Sequence, residues 1–260
     1  MSRIDLSRFD YETYSAILQE LGDGRQNLRL CDTREADLSK PYFILRHDVD
    51  FCPDMALELA EFEIELGVRA TYFLLFNSPS YNLLAPQHLD FARKLVGLGH
   101  EVGFHYDVSA MEPFVDQLTH AAIMDQYTAM LSSLSGQPVV SVTLHNPSLL
   151  GRRDPFSGLD YIYASDPQFT SNITYLSDSC GAWRDEADEL FRLGKLPDKI
   201  QILFHPIFWG RKHCGRKLRL EHLVLKLQKR LKTFRSEAEG VWSRHHGLRE
   251  HEERLNMRVG

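Results

Sequence analysis

The stretch Tyr42-Phe43-Ile44-Leu45-Arg46-His47-Asp48-Val49-Asp50 decides how this chain folds. An apolar run bounded by Pro41 on one side and by charge on the other is typical of a buried strand. Residues two apart on a strand point the same way, so Asp48 and Asp50 share a face where the strand ends. Two like charges on one face are costly unless a cation or a proton compensates them. The stretch therefore predicts a metal or acid/base site; the alternative is a solvated turn whose two acids have no chemical role.

Apolar runs of the same kind recur along the chain and alternate with stretches of helical periodicity. Strands are predicted at residues 42–47, 70–76, 101–104, 139–144, 159–165, 173–178 and 200–204. Helices are predicted at residues 10–21, 54–66, 87–98, 113–134 and 218–234. This alternation favours an α/β fold with a mostly parallel sheet or barrel.

The composition of the 260 residues fits a globular protein with one large α/β domain or two small ones. No stretch approaches the roughly 20 apolar residues of a membrane span. The first residues lack the apolar segment of a secretory signal. The four cysteines have no CxxC spacing, which favours reduced thiols and a cytoplasmic protein; they are Cys31, Cys52, Cys180 and Cys214.

The charge is unevenly distributed along the chain. The net charge is −6, yet residues 211–260 hold 14 Lys and Arg against 6 Asp and Glu. The favoured interpretation is a solvated helix that packs on an acidic body. The alternative is a weak contact of this basic segment with a membrane surface or an anionic partner. No nucleic-acid partner is expected.

Four of the predicted strands end in residues suited to chemistry. Asp48 and Asp50 follow the first, and His105, His145 and His205 follow three others. In parallel α/β folds the carboxyl ends of strands converge on the ligand site, so these residues can meet although they are distant in sequence. Two histidines and one carboxylate form a common open ligand set for a catalytic divalent metal.

The motifs, taken in order over residues 40–210, resemble the polysaccharide deacetylase superfamily, also called the NodB-homology or carbohydrate esterase family 4 proteins. Within it the chain is most similar to a branch encoded with O-antigen and other surface-polysaccharide genes. The resemblance implies a distorted (β/α) barrel of about seven strands. The five motif segments are His47–Asp50, Gly99–His105, His145–Ser148, Asp178–Arg184 and Leu203–Pro206.

The resemblance implies a role for each matching position. Asp48 is the expected general base that activates water, and His205 is the expected general acid that protonates the leaving amine. Asp50 and His105 are the expected ligands of a divalent metal, with Zn²⁺ preferred. The backbone N–H near Ser148 is the expected oxyanion donor.

Two departures from the family pattern change this assignment. Ser109 stands where the second motif normally carries another histidine, and His145 stands where the third motif normally carries an arginine that orients the base. We hypothesise that His145 replaces the missing ligand. The orientation of Asp48 then passes to Arg46 or Arg184.

The function implied is metal-dependent removal of an N-acetyl group from an amino sugar in a nucleotide- or lipid-linked surface-polysaccharide precursor. One alternative is a catalytically inactive relative that binds a sugar or a partner enzyme. Another is a metal-assisted hydrolase of a different amide or ester. Substrate contacts are predicted for Asn82, Asp178, Trp183 and Trp209, with core packing as the alternative for the two tryptophans.

The predicted domain organisation follows from the extent of the motifs. Residues 1–236 form one catalytic domain with an N-terminal helical extension. Residues 237–260 form a basic C-terminal tail whose weak apolar periodicity is compatible with mobility.

Overall fold

The computed structural model describes residues 4–76, 78–107, 117–145, 158–183 and 185–256. The chain forms two units, Met1–Arg216 and Lys217–Gly260. The first unit holds all of the motifs, and the second is the greater part of one long helix.

A single parallel sheet forms the core of the first unit. Within the described residues it has eight strands, in the order β6-β5-β4-β3-β2-β8-β7, with β1 paired to β2. The sheet curls into a half-barrel flanked by helices, which confirms the predicted α/β fold and distorted (β/α) barrel. The strands are β1 Gln26–Leu28, β2 Tyr42–Val49, β3 Thr71–Leu75, β4 Glu101–Tyr106, β5 Ser141–Leu144, β6 Ile162–Tyr163, β7 Thr174–Ser177 and β8 Lys199–Phe204.

Strand β2 has neighbours on both sides, all of them parallel to it. β1 pairs with its first half, β3 pairs with its second half from Arg46↔Thr71, and β8 pairs along the opposite edge as far as His47↔Phe204. Every residue of β2 is buried, as its apolar run predicts. The carboxyl ends of its neighbours therefore meet at the edge where Asp50 follows the strand.

The helices predicted at residues 10–21, 54–66, 87–98 and 113–134 each overlap a helix of the structure, whereas the helices Pro167–Thr170 and Asp185–Leu193 were not predicted. The predicted helix at residues 218–234 is part of a longer helix that runs from Arg216 to Asn256, through residues predicted as a tail. No helix in the described ranges has the length and apolar character to cross a membrane. The helices are α1 Tyr11–Gly22, α2 Pro53–Glu65, α3 Phe91–Gly97, α4 Gln117–Ser135, α5 Pro167–Thr170, α6 Asp185–Leu193 and α7 Arg216–Asn256.

A buried polar cluster fixes α1 and α2 on the face of β2 opposite Asp48. Glu63 is fully buried, and its carboxylate accepts hydrogen bonds from the hydroxyls of Tyr14 and Tyr72, the latter at 2.8 Å. His47 Nε2 lies 2.7 Å from the same carboxylate. Burial opposes ionisation of Glu63, but His47 and these hydrogen bonds lower the pKa of Glu63 below its usual value. The cluster therefore holds an ionised carboxylate between the helices and the sheet.

Replacing Glu63 by Gln is expected to lower the free energy of unfolding by about 2–4 kcal/mol at pH 7, because buried donors lose their charged acceptor. Because the pKa of Glu63 is lower in the folded protein than in the unfolded chain, its carboxylate stabilises the fold at pH values above the unfolded pKa. This stabilisation is lost as the pH falls through the folded-state pKa. The difference in free energy of unfolding between Glu63→Gln and the wild type should therefore become smaller below about pH 4. Urea denaturation across this range measures it. The exposed Glu61 on the same helix supplies the control, Glu61→Gln, which should change stability by less than about 0.5 kcal/mol; equal effects of the two variants would contradict the prediction.

Candidate active site

Five strands carry the candidate site at their carboxyl ends. Asp50 directly follows β2, His145 follows β5, Asp178 follows β7 and His205 follows β8, while His105 is the fifth residue of the six-residue β4. The strand order places β4 and β5 on one side of β2, and β8 and β7 on the other. The curl of the sheet brings these side chains together.

The three predicted metal ligands converge on one point. Asp50 Oδ1 lies 3.2 Å from His105 Nε2 and 3.3 Å from His145 Nδ1, and the two imidazole nitrogens are 3.3 Å apart. Each residue offers one ligand atom, and these atoms all lie within 4.8 Å of one another. Among the described residues, this is the group of His, Cys, Asp and Glu side chains with spacing suited to a metal.

The donor set of this trio fits a divalent metal. Two imidazole nitrogens and one carboxylate oxygen are the ligands that zinc takes in open catalytic sites. Burial opposes the charge on Asp50, yet hydrogen bonds from His105 and His145 hold the pKa of this carboxyl far below its usual value. The hydrogen bond to Asp50 raises the pKa of His145. The site thus offers one ionised carboxylate with two imidazoles directed at it.

Asp48 is held by a buried arginine from its own strand. Arg46 Nε donates to Asp48 Oδ1 at 2.9 Å, and Arg46 Nη2 donates to Oδ2 at 2.8 Å, a bidentate pair. Burial opposes ionisation, but the charge and hydrogen bonds of Arg46 hold the pKa of Asp48 below its usual value. Asp48 Oδ2 lies 3.7 Å from His105 Nε2, so an ionised carboxylate borders the trio.

Arg46 is itself fixed by residues on or next to other strands of the sheet. It donates from Nη2 to Thr143 Oγ1 at 2.7 Å and from Nη1 to Ser165 Oγ at 3.4 Å. Its guanidinium lies 5.2 Å from the centre of the Phe73 ring. A Cβ atom at Gly103 would overlap that ring, so glycine at this position leaves room for it. These contacts set the orientation of Arg46 and, through it, of Asp48.

His205 is positioned by Asp178. Its Nδ1 lies 2.6 Å from Asp178 Oδ1, and its backbone N–H donates to both oxygens of the same carboxylate, at 3.0 and 3.1 Å. Trp209 Nε1 donates to Asp178 Oδ2 at 2.7 Å. Burial opposes the imidazolium, but Asp178, with Asp50 and Asp48, raises the pKa of His205 to about 9. His205 Nε2 lies 3.8 Å from Asp50 Oδ2, so a protonated imidazole borders the trio at a second point.

Asp178 and Trp209, two of the residues predicted to contact substrate, are buried, and those contacts stay predictions. Asp178 is 0% exposed and Trp209 is 1% exposed, and both side chains serve to hold His205 and the surrounding core. Trp183 is half-buried and packs edge-on against Phe204. Asn82 is exposed in the loop after β3, where its side chain accepts from Leu84 N.

Three predicted positions lie outside the described residues: Ser148, Arg184 and Ser109. The predicted oxyanion donor, the second candidate for orienting Asp48 and the replaced ligand position therefore stay predictions. Of the two arginines proposed to hold the base, Arg46 makes the contact to Asp48.

Sequence reasoning missed Thr143 and Ser165, which hold Arg46 in place. Thr143 precedes His145 by two residues, so the alternation of β5 puts both side chains on the same face. The two-residue spacing could therefore have predicted that Thr143 lies on the same side of the sheet as the site. Ser165 follows the two-residue strand β6, and no local pattern links it to Arg46.

Comparison with known proteins returns carbohydrate esterases among the solved structures. No family model matches the chain, and no curated protein matches it. Similar solved structures bear the same family designation as the resemblance seen in the motifs, while the O-antigen branch stays a prediction. The CE4 domain of a xylanase from the hindgut metagenome of Trinervitermes trinervoides is 15% identical, with 75% of this chain and 84% of that chain covered and a TM-score of 0.45.

Two further structures are similar to a comparable degree. A family 4 carbohydrate esterase from Bacillus anthracis is 15% identical, with 83% of this chain and 86% of that chain covered and a TM-score of 0.43. The chitin deacetylase of the fungal pathogen Colletotrichum lindemuthianum is 18% identical, with 74% and 83% covered and a TM-score of 0.42.

Proposed function

We propose that this chain is a divalent-metal-dependent deacetylase of the polysaccharide deacetylase type, which hydrolyses the N-acetyl group of an amino sugar. The observation that carries the proposal is the trio Asp50, His105 and His145, bordered by an ionised carboxylate at Asp48 and a protonated imidazole at His205. A base and an acid beside one metal-binding group are the two proton-transfer partners that amide hydrolysis needs.

The proposed metal, with zinc preferred for its ligands, is held by Asp50, His105 and His145. A divalent cation there supplies Lewis-acid chemistry, which favours attack on an acyl carbon. Asp48, kept ionised by Arg46, accepts a proton from the attacking water. The C–N bond then breaks to give acetate and a free amine.

The state of His205 favours an amide substrate over an ester. An amine leaves poorly unless its nitrogen receives a proton, whereas an alkoxide leaves more readily. His205 has its pKa raised to about 9, so it carries the required proton at neutral pH. The hydrogen bond from Nδ1 to Asp178 leaves Nε2 as the atom that donates it.

The proposed substrate is an N-acetylated hexosamine in a surface-polysaccharide precursor, linked to a nucleotide or a lipid. A precursor of this kind agrees with the predicted cytoplasmic location. Acetate release should be measured with a UDP-linked N-acetylhexosamine, a polyprenyl-diphosphate-linked N-acetylhexosamine and an O-acetylated xylan oligosaccharide. Zinc-dependent release from an amide substrate, lost with a chelator and restored by zinc, supports the proposal. Release from the ester alone supports the other-hydrolase alternative. Sugar binding without release from any of them supports the inactive relative.

His145 is the ligand that departs from the family pattern, so its replacement tests the metal site directly. The variant His145→Ala is expected to bind zinc roughly 100-fold or more weakly, since loss of a direct ligand should exceed the effect of losing an outer partner. Bound metal is measured by mass spectrometry after dialysis against a metal buffer. His205→Ala serves as the matched control, because that imidazole borders the trio without belonging to it. Equal metal content in His145→Ala and the wild type would remove His145 from the ligand set.

A further inference from the structure

Helix α7 carries a regular apolar stripe along one side. The stripe residues follow one another at alternating intervals of three and four, which is the spacing of a coiled-coil seam. They are Val224, Leu227, Leu231, Phe234, Ala238 and Val241. A helix that stays in register with this pattern for almost three heptads presents one continuous apolar edge.

The stripe is exposed to solvent, apart from the half-buried Leu227. The exposed fractions are 51% for Val224, 66% for Leu231, 68% for Phe234 and 46% for Val241. In proteins most of the stability of a helix comes from packing of its apolar face. A contiguous exposed stripe of this kind is the mark of an interaction surface.

We propose that α7 pairs along this stripe with α7 of a second copy of the chain, in an antiparallel coiled coil. The charges beside the stripe favour this arrangement over a parallel one. Arg230 directly precedes Leu231, and Glu237 directly precedes Ala238. In an antiparallel pair with Leu231 opposite Phe234, Arg230 of each copy faces Glu237 of the other. In a parallel pair Arg230 would instead face Arg235, twice.

The sizes of the stripe residues favour the same register. The antiparallel pair places Leu227 opposite the small Ala238, and Val224 opposite Val241. A parallel pair would stack Ala238 on Ala238 and Phe234 on Phe234, which leaves a void in one layer and crowds another. Alternation of large and small side chains across facing positions fills a core without voids.

The oligomeric state of the full chain tests the proposal. Sedimentation equilibrium from about 1 to about 100 µM is expected to show a dimer, a range in which a micromolar Kd is measurable. The double variant Leu231→Glu with Phe234→Glu should weaken the dimer roughly 100-fold, because it buries like charges in the seam. Leu225→Glu is the matched control: Leu225 is 61% exposed on the same helix but lies off the stripe, and its replacement should leave the dimer intact. A wild type that stays monomeric, or a dimer that the double variant does not weaken, would overturn the proposal.

Charge exchange tests the orientation. Arg230→Glu should weaken an antiparallel dimer about tenfold, since it sets Glu against Glu at two places. Adding Glu237→Arg should restore the affinity. A single variant that tightens the dimer would show the parallel arrangement and overturn the antiparallel one. A monomer that sediments with anionic vesicles of phosphatidylcholine and phosphatidylserine would show that the basic helix binds membrane instead. Acetate release by the same variants separates this proposal from the proposed function, because neither set of residues belongs to the active site.

Discussion

Replacing Asp48 by Asn is expected to lower kcat by about 10²- to 10⁴-fold, the range that a positioned general base contributes. An asparagine side chain has no anionic oxygen to take a proton from water. The trio of Asp50, His105 and His145 remains intact, so the variant should keep its metal. Metal content by mass spectrometry and acetate release from the same preparation give the two measurements.

A stability measurement and a comparison variant distinguish loss of the base from loss of the fold. The amide of the Asp48→Asn variant can accept only one of the two hydrogen bonds that Arg46 donates, so this protein is also expected to unfold at a lower denaturant concentration. Thr143 still holds Arg46 at Nη2. Asp50→Asn is the comparison variant, because it should lose both metal and activity. An Asp48→Asn protein that is folded, metal-loaded and fully active would remove Asp48 from the role of base.

The position of the site followed from the sequence because it depends on local patterns. The apolar runs at residues 42–47, 101–104, 139–144 and 200–204 each lead into an aspartate or a histidine, and parallel strands bring their carboxyl ends to one edge of the sheet. The two-residue spacing of Asp48 and Asp50 predicted that they share a face, and in the structure their carboxylates lie 3.7 and 3.2 Å from His105 Nε2. The substitution pattern at Ser109 and His145 pointed to the trio whose ligand atoms now lie within 4.8 Å of one another.

What the sequence did not predict depends on which strands are neighbours. The alternation of strands and helices does not give the order in the sheet, so it could not show that β7 lies beside β8 and brings Asp178 to His205. Asp178 was predicted as a substrate contact, and in the structure its buried carboxylate is a hydrogen-bond partner of His205. The short strand β1 has three residues and no apolar alternation to reveal it. The length of α7 exceeded the prediction because apolar periodicity is weak beyond Val241 while helix-forming residues continue.

Asp48 is held as an anion and His205 as a cation because each contacts a buried residue of the opposite charge. Arg46 stabilises an anion and Asp178 stabilises a cation, and each contacts its partner through two or more hydrogen bonds. Environments that push two titratable groups apart in this way are how a site keeps a base and an acid side by side at neutral pH. Arg46 and Asp178 are therefore positioning residues, and removing either of them should lower the rate.

Replacing Asp178 by Asn is accordingly expected to lower kcat by about 10²- to 10⁴-fold, the range of a general acid. All of the described partners of its carboxylate are donors: the backbone N–H and Nδ1 of His205, and Nε1 of Trp209. The NH₂ group of an asparagine is itself a donor and would face one of these donors. The imidazole can then take the tautomer in which Nδ1, and not Nε2, carries the hydrogen.

Trp209→Phe is the control that separates positioning of His205 from packing around it. It removes one donor to Asp178 and a buried ring edge, so stability should fall by about 1–3 kcal/mol while kcat changes less than tenfold. The ¹⁵N shifts of His205 in labelled protein report which ring nitrogen carries hydrogen; Asp178→Asn should alter them and Trp209→Phe should not. If both variants lowered kcat in proportion to their loss of stability, Asp178 would be a packing residue and the acid would have to be held by another group.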